Sequence, residues 1–140
     1  MMKFNTFLIA LLFFATACKQ EKKAPEGPTQ MQQVMAVHDE VMPKMGTLGK
    51  LVGELKSKVD TTETGRQYEA AMKDLQVANT AMMDWMMAFG NRFDSDEILD
   101  GKELSEEKQR WLDEEETKVN ALKEQINSSI KKAEALLATE

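Results

Sequence analysis

The sequence predicts an all-α fold, an antiparallel three-helix bundle of coiled-coil type with a long C-terminal helix. Three observations predict it. Apolar residues recur at alternating spacings of four and three along three long stretches. Capping sequences, in which Thr or Asp is followed three residues later by Glu or Gln, stand ahead of each stretch. Met, Leu, Ala, Glu and Lys dominate a chain of 140 residues with only 7 Gly and 3 Pro, a composition that favours helix over sheet. That length suits one compact domain at residues 29–140, preceded by two shorter segments.

Residues 1–17 read as a removable export signal, with Lys3, an apolar run from Phe7 to Phe14, and the small residues Ala15, Thr16 and Ala17. The run is too short to span a bilayer. Ala15-Thr16-Ala17-Cys18 resembles the lipobox of bacterial lipoproteins, in which the cysteine thiol is lipidated and becomes the first mature residue. Ala15 stands where that motif usually has Leu. The resemblance implies export, acyl chains on Cys18 and attachment to a membrane. A free thiol or an intermolecular disulfide is the alternative, but a lone cysteine at this boundary favours lipidation. Lys19 replaces the Asp that favours inner-membrane retention in enteric bacteria, so the expected location is the cell envelope, at the outer membrane. Residues 18–28 hold the lipidated cysteine and a polar tether containing Pro25 and Pro28.

The first helix of the domain is expected at about residues 30–59, opened by a capping box of Thr29 and Gln32. Its buried seam reads Val34, His38, Val41, Met45, Leu48, Val52, Leu55 and Val59. Pro43 lacks an amide hydrogen and crowds the carbonyl of Asp39, which predicts a kink between Asp39 and Pro43 at a cost of about 3 kcal/mol. Gly46, Gly49 and Gly53 are expected to admit close approach by a neighbouring helix, with a hinge as the alternative.

After a polar turn at Asp60 to Gly65, Thr64 and Gln67 predict a second box. Tyr68, Met72, Leu75, Asn79, Met82, Met86 and Phe89 then predict a helix that stops near Phe89, with Gly90 and Asn91 as its left-handed stop. The segment from Asn91 to Gly101 has room for one short helical turn. Its acids Asp94, Asp96 and Asp100, with Glu107, do not follow the ligand order of a calcium loop, since Ile98 falls at a ligand position. Asp100 and Glu103 predict a third box opening a helix over about 101–137. Leu104, Trp111, Leu112, Val119, Leu122, Ile126, Ile130, Ala133 and Leu137 mark its buried side, and Glu114, Glu115 and Glu116 read as a solvated face.

At about 1.5 Å per residue the three helices measure roughly 45, 38 and 55 Å. The end of the third is therefore expected to project past the first turn, exposing Ile130, Leu136 and Leu137 to a partner such as a second copy of the chain or another envelope protein.

Folding the first two helices against each other sets His38 opposite Met86 and Met87, and Met42 and Met45 opposite Met82 and Met83. One end of the bundle is then lined by thioethers, the single imidazole and Trp85 or Trp111. Methionine as a compliant core filler beside a kink accounts for this cluster. The sharper reading is a Cu(I) site built from His38, Met42, Met45, Met82, Met83 and Met86, because soft sulfur and imidazole donors suit that ion. Haem ligation by a His-Met pair has no CxxCH attachment motif to support it. A methionine-lined groove receiving a partner helix is a further possibility.

The motifs HDEVMPKM and MMDWMMAF, following a lipobox, resemble a group of small helical lipoproteins from Bacteroidota often labelled viral A-type inclusion protein repeat containing. The resemblance implies an envelope protein and no catalytic residue. The net charge of −6, with no clustered Lys and Arg, excludes a nucleic-acid binding face. Catalysis is not expected either, since Cys18 belongs to the N-terminus and His38 has thioether neighbours rather than a nucleophile.

Overall fold

Thr29 opens α1 (Gln30–Val41) with the expected box: its hydroxyl accepts the Gln32 N–H at 3.2 Å, while Gln32 Oε1 accepts the Thr29 N–H at 2.8 Å. The structure is a computed structural model that describes residues 27–139. The signal segment at residues 1–17, Cys18 and most of the tether lie outside the described residues.

Met42 and Pro43 separate α1 from α2 (Lys44–Lys56). Both keep right-handed helical dihedrals, with φ of −55° and −60°. The break is in the hydrogen bonding. Pro43 has no hydrogen to give Asp39 O, and Met45 N–H turns instead to Met42 O at 3.1 Å. The interruption falls where the proline predicts it.

The chain continues through α3 (Glu63–Arg92), a short α4 (Ser95–Leu99) and α5 (Glu106–Leu137), with no strand among the described residues. Cross-helix pairs fix the directions. Gln30 Nε2 donates to Asp113 and Glu116, Lys123 reaches Glu40, and Lys44 reaches Asn127, so the α1–α2 rod and α5 run parallel. Arg92 meets Glu114 while Lys132 meets Asp74, so α3 runs against them. The break gives the first rod two tasks: α1 leans chiefly on α5, and α2 packs on both α3 and α5. The result is an all-α bundle of three rods, down whose centre run Val34, Val41, Leu48, Leu55, Leu75, Met82, Leu112, Val119 and Ile126.

Several expected boundaries shift. The first rod ends at Lys56, leaving Val59 36% exposed. Thr62, not Thr64, caps α3: its hydroxyl accepts the Gly65 N–H at 3.0 Å and donates to Asp60 Oδ1. That helix runs through Gly90 and Asn91 to Arg92, because neither adopts a left-handed conformation and Phe93 ends it in extended backbone. The expected short turn is α4, where Glu97 accepts the Asp94 N–H at 2.8 Å and Gly101 supplies the left-handed exit at φ 70°. Ser105, accepting Lys108 N–H at 3.2 Å, replaces Asp100 as the cap of the last helix.

The later start of α5 removes the projection expected of its end. With 30 and 32 residues, α3 and α5 are nearly equal, about 45 and 48 Å at 1.5 Å per residue. Asp74, the partner of Lys132, lies eleven residues into α3, and only five residues of α5 remain beyond Lys132. Ile130, Leu136 and Leu137 are accordingly half-buried against the core rather than projecting from it.

Close approach also occurs at a different glycine from those expected. Gly46, Gly49 and Gly53 are exposed, with nothing within 4 Å of where a side chain would begin. Gly65 is buried beneath Asp60, whose backbone nitrogen lies 2.6 Å from an added Cβ.

Candidate functional site at the His38 and Trp85 end

His38 lies on the last turn of α1, just before the proline break, with its side chain 15% exposed. Its Nδ1 sits 2.9 Å from Asp39 Oδ1. A carboxylate only accepts, so Nδ1 is the donor of this contact, and Nε2 is the ring nitrogen left to act as a ligand. The ring meets Trp85 of α3 at 5.9 Å between centroids, tilted by 32°. Trp85 continues into Phe89 at 4.9 Å, and Phe89 into Phe93 at 4.8 Å, forming an aromatic column on the core side of α3.

The predicted hairpin therefore does bring the two methionine-bearing stretches level, but the faces differ from those expected. Met82 is fully buried, whereas Met83 is 48% and Met87 62% exposed. Successive residues on an α-helix point about 100° apart, so Met82 and Met83 cannot both face inward. Trp85, at three residues from Met82, takes the inward place beside His38. Met42, Met45 and Met86 are half-buried along the edge of the core. Of the expected donors, His38, Met42, Met45 and Met86 remain at this edge, Met82 is sealed in the core, and Met83 is turned to solvent. Trp111 is elsewhere, beneath the Arg92 guanidinium at 5.5 Å.

The acidic run of α5 is not uniformly solvated. Glu115 has no exposed surface; its Oε1 accepts from Arg92 Nη1 and from Lys118 Nζ, each at 2.8 Å. Arg92 bonds Glu114 at 2.8 Å as well; that bond, with the charge of Glu115, raises the guanidinium pKa, and the same bond lowers the pKa of Glu114. A second buried acid, Glu97 at 6% exposure, is held by Lys108 at 2.6 Å, a bond that lowers the Glu97 pKa and raises that of Lys108. Sequence reasoning missed Glu115 although the signal is present: it stands three residues after Leu112 and four before Val119, in step with the buried seam.

Trp85 and Glu115 also share a groove of about 400 Å³ between α3 and α5, floored by Ala81, Ala88, Ala121 and Leu122. Trp85 Nε1 and Glu115 Oε2 are buried there without a hydrogen-bond partner.

Compared with known proteins, the chain matches no family model, no curated protein and no solved structure. The chemistry must be read from the site. Among the described residues no three His, Cys, Asp or Glu side chains converge as a metal-binding group. What this end of the bundle does assemble is one oriented imidazole, several thioethers and an aromatic face.

Proposed function

We propose that the chain is a lipid-anchored protein of the cell envelope whose helical bundle serves as an interaction or structural module rather than as a catalyst. The observation that carries this reading is Ala15-Thr16-Ala17-Cys18 at the end of a short apolar run, followed by a polar stretch that leads into a capped helix at Thr29. Acyl chains on Cys18 would supply the membrane affinity, at about 0.8 kcal/mol per buried methylene, with two or more chains needed for stable anchoring. No helix among the described residues is long and apolar enough to cross a membrane.

The bundle's chemistry supports a non-catalytic role. The single imidazole is engaged by Asp39 and Trp85 instead of by a hydroxyl or thiol nucleophile. A binding module needs no such pair. Its partner would be a second copy of the chain or another envelope protein.

Metabolic labelling with a clickable fatty acid tests the anchor. The full chain expressed in a bacterium should take up label, lose residues 1–17 and sediment with membranes. Cys18→Ser should take up no label and remain at precursor mass. Unlabelled wild-type chain released by a salt wash would end the lipoprotein reading.

A further inference from the structure

We propose that His38, Met42 and Met86 hold a Cu(I) ion at the break between α1 and α2, with the Trp85 ring beside it. Three observations point to these residues. The first is local spacing. Met42 N–H bonds His38 O at 3.0 Å, so the backbone is still helical between them and the two side chains share one face, as residues four apart do. The second is level. The His38–Trp85 ring contact fixes which part of α3 lies across from this face, and Met86, seven residues on from Asn79, is on the side of α3 that Asn79 turns to α2. The third is access. Met42 and Met86 are half-buried at the edge of the core and the His38 side chain is 15% exposed, neither sealed in like Met82 nor turned to solvent like Met83.

The donor chemistry selects the ion. One neutral imidazole and two thioethers carry no charge, which suits a soft monovalent cation and not Ca²⁺, Mg²⁺ or Zn²⁺ held by carboxylate or thiolate. The Asp39 carboxylate on Nδ1 does what such a partner does in metal sites generally: it holds the ring and leaves Nε2 as the atom that would bind the ion. Pro43 contributes by interrupting the hydrogen bonding next to Met42, where a long unbranched side chain can adjust to a ligand at little cost. Binding involves no bond cleavage or electron transfer; lone pairs on Nε2 and the two sulfurs are donated to the ion.

The test uses the full chain in detergent with Cys18→Ser, so that the single thiol cannot bind copper and the result is independent of the lipid anchor. Cu(I), kept reduced with ascorbate, is titrated against bicinchoninate, with tryptophan fluorescence and the methyl signals of ¹³C-methionine followed by NMR. The expected result is one Cu(I) per chain, quenched Trp85 emission, and shifts of the Met42 and Met86 methyls with Met83 and Met87 unmoved. His38→Ala should weaken binding by about tenfold or more, as loss of a metal-site residue does. Met42→Leu, which conserves core volume, should do likewise with the helical circular dichroism unchanged. Failure to take Cu(I) from bicinchoninate overturns the proposal. So does binding that survives both substitutions, or that shifts Met83 and Met87 in place of Met42 and Met86.

Discussion

Arg92 Nη1 lies 2.8 Å from Glu115 Oε1, tying a partly exposed guanidinium on α3 to a carboxylate on α5 that has no exposed surface. The same nitrogen serves Glu114, and Lys118 brings a second positive charge to Glu115 Oε1. The other oxygen, Oε2, is buried without a partner. A carboxylate taken out of water in this way carries a desolvation cost set against its ion pairs, a situation in which an apolar replacement of similar volume is often neutral or stabilising.

Glu115→Ala and Glu115→Met should therefore part company. The alanine variant loses the charge-assisted bonds and leaves a cavity on the Trp85 side of α5, and should unfold about 2 kcal/mol more easily. The methionine variant fills the volume and should stay within about 1 kcal/mol of wild type. Urea midpoints at neutral pH measure both. Equal destabilisation by the two would show that the ion pairs, and not the packing, set the value of this position.

Glu97 and Lys108 make the bundle's stability depend on acid. The bond from Lys108, followed by that from the Asp94 N–H, holds the Glu97 carboxyl below its usual range. A depressed carboxyl contributes its stability fully above the unfolded value of about 4.3, and loses it as pH falls through its own lower value. Glu40, beside Lys123, and Glu114, beside Arg92, shift the same way and add to the loss. Lys108 acts at the opposite limit, since its raised pKa makes its contribution disappear only as strongly alkaline pH is reached. Glu97→Gln should be less stable than wild type at pH 7 and converge with it in acid. Urea midpoints collected from pH 7 downward check this, and parallel curves with no convergence would contradict it.

Gly65 and Gly49 predict opposite signs for the same substitution. A methyl group on Gly65 would enter the Asp60 carboxylate and press on the Asp60 backbone nitrogen, which cannot move without undoing the turn before α3. Gly65→Ala should destabilise by about 2 kcal/mol, as overpacking commonly does. Gly49 is helical, exposed and open, so Gly49→Ala should stabilise by about 0.5–1 kcal/mol through reduced chain entropy in the unfolded state. Thermal unfolding of the two variants side by side decides the matter. A stable Gly65→Ala chain would mean that Asp60 readily swings away.

The sequence made the bundle legible, with Val34, Val41, Leu48, Leu55, Tyr68, Leu75, Met82, Phe89, Leu112, Val119 and Ile126 buried as read, and misplaced the alternate positions of each seam for a definable reason. A seam with spacings of four and three admits neighbouring phases, and the apolar side chains at Met72, Met86, Trp111 and Ile130 made the wrong one attractive. In the structure the centre follows Tyr68, Ala71, Leu75, Ala78, Met82, Trp85 and Phe89 on α3, and Leu112, Glu115, Val119, Leu122, Ile126, Ser129 and Ala133 on α5. Small or polar members of those series carry little hydrophobic signal of their own, which hid Glu115 and Ser129. The proline break was readable because it depends on one missing hydrogen. The caps were less so: Thr62, Thr64, Asp100 and Ser105 all have capping chemistry, and only the tertiary contacts choose among them.

Oxidation reads out the same phase at the candidate site. Methionine sulfoxide forms according to exposure, and the thioethers of α3 span the range from Met82, with none, to Met83 and Met87, with 48% and 62%. Mild hydrogen peroxide followed by peptide mass mapping should modify Met87 and Met83 first, Met86 and Met42 more slowly, and Met82 last. Because Met82 is fully buried in the same core as Val41, Leu48 and Leu75, its oxidation should coincide with loss of the folded state, whereas sulfoxide at Met87 should leave the helical signal intact. Early modification of Met82 would require α3 to be rotated from the orientation described, and would remove both the Trp85 contact with His38 and the site proposed beside it.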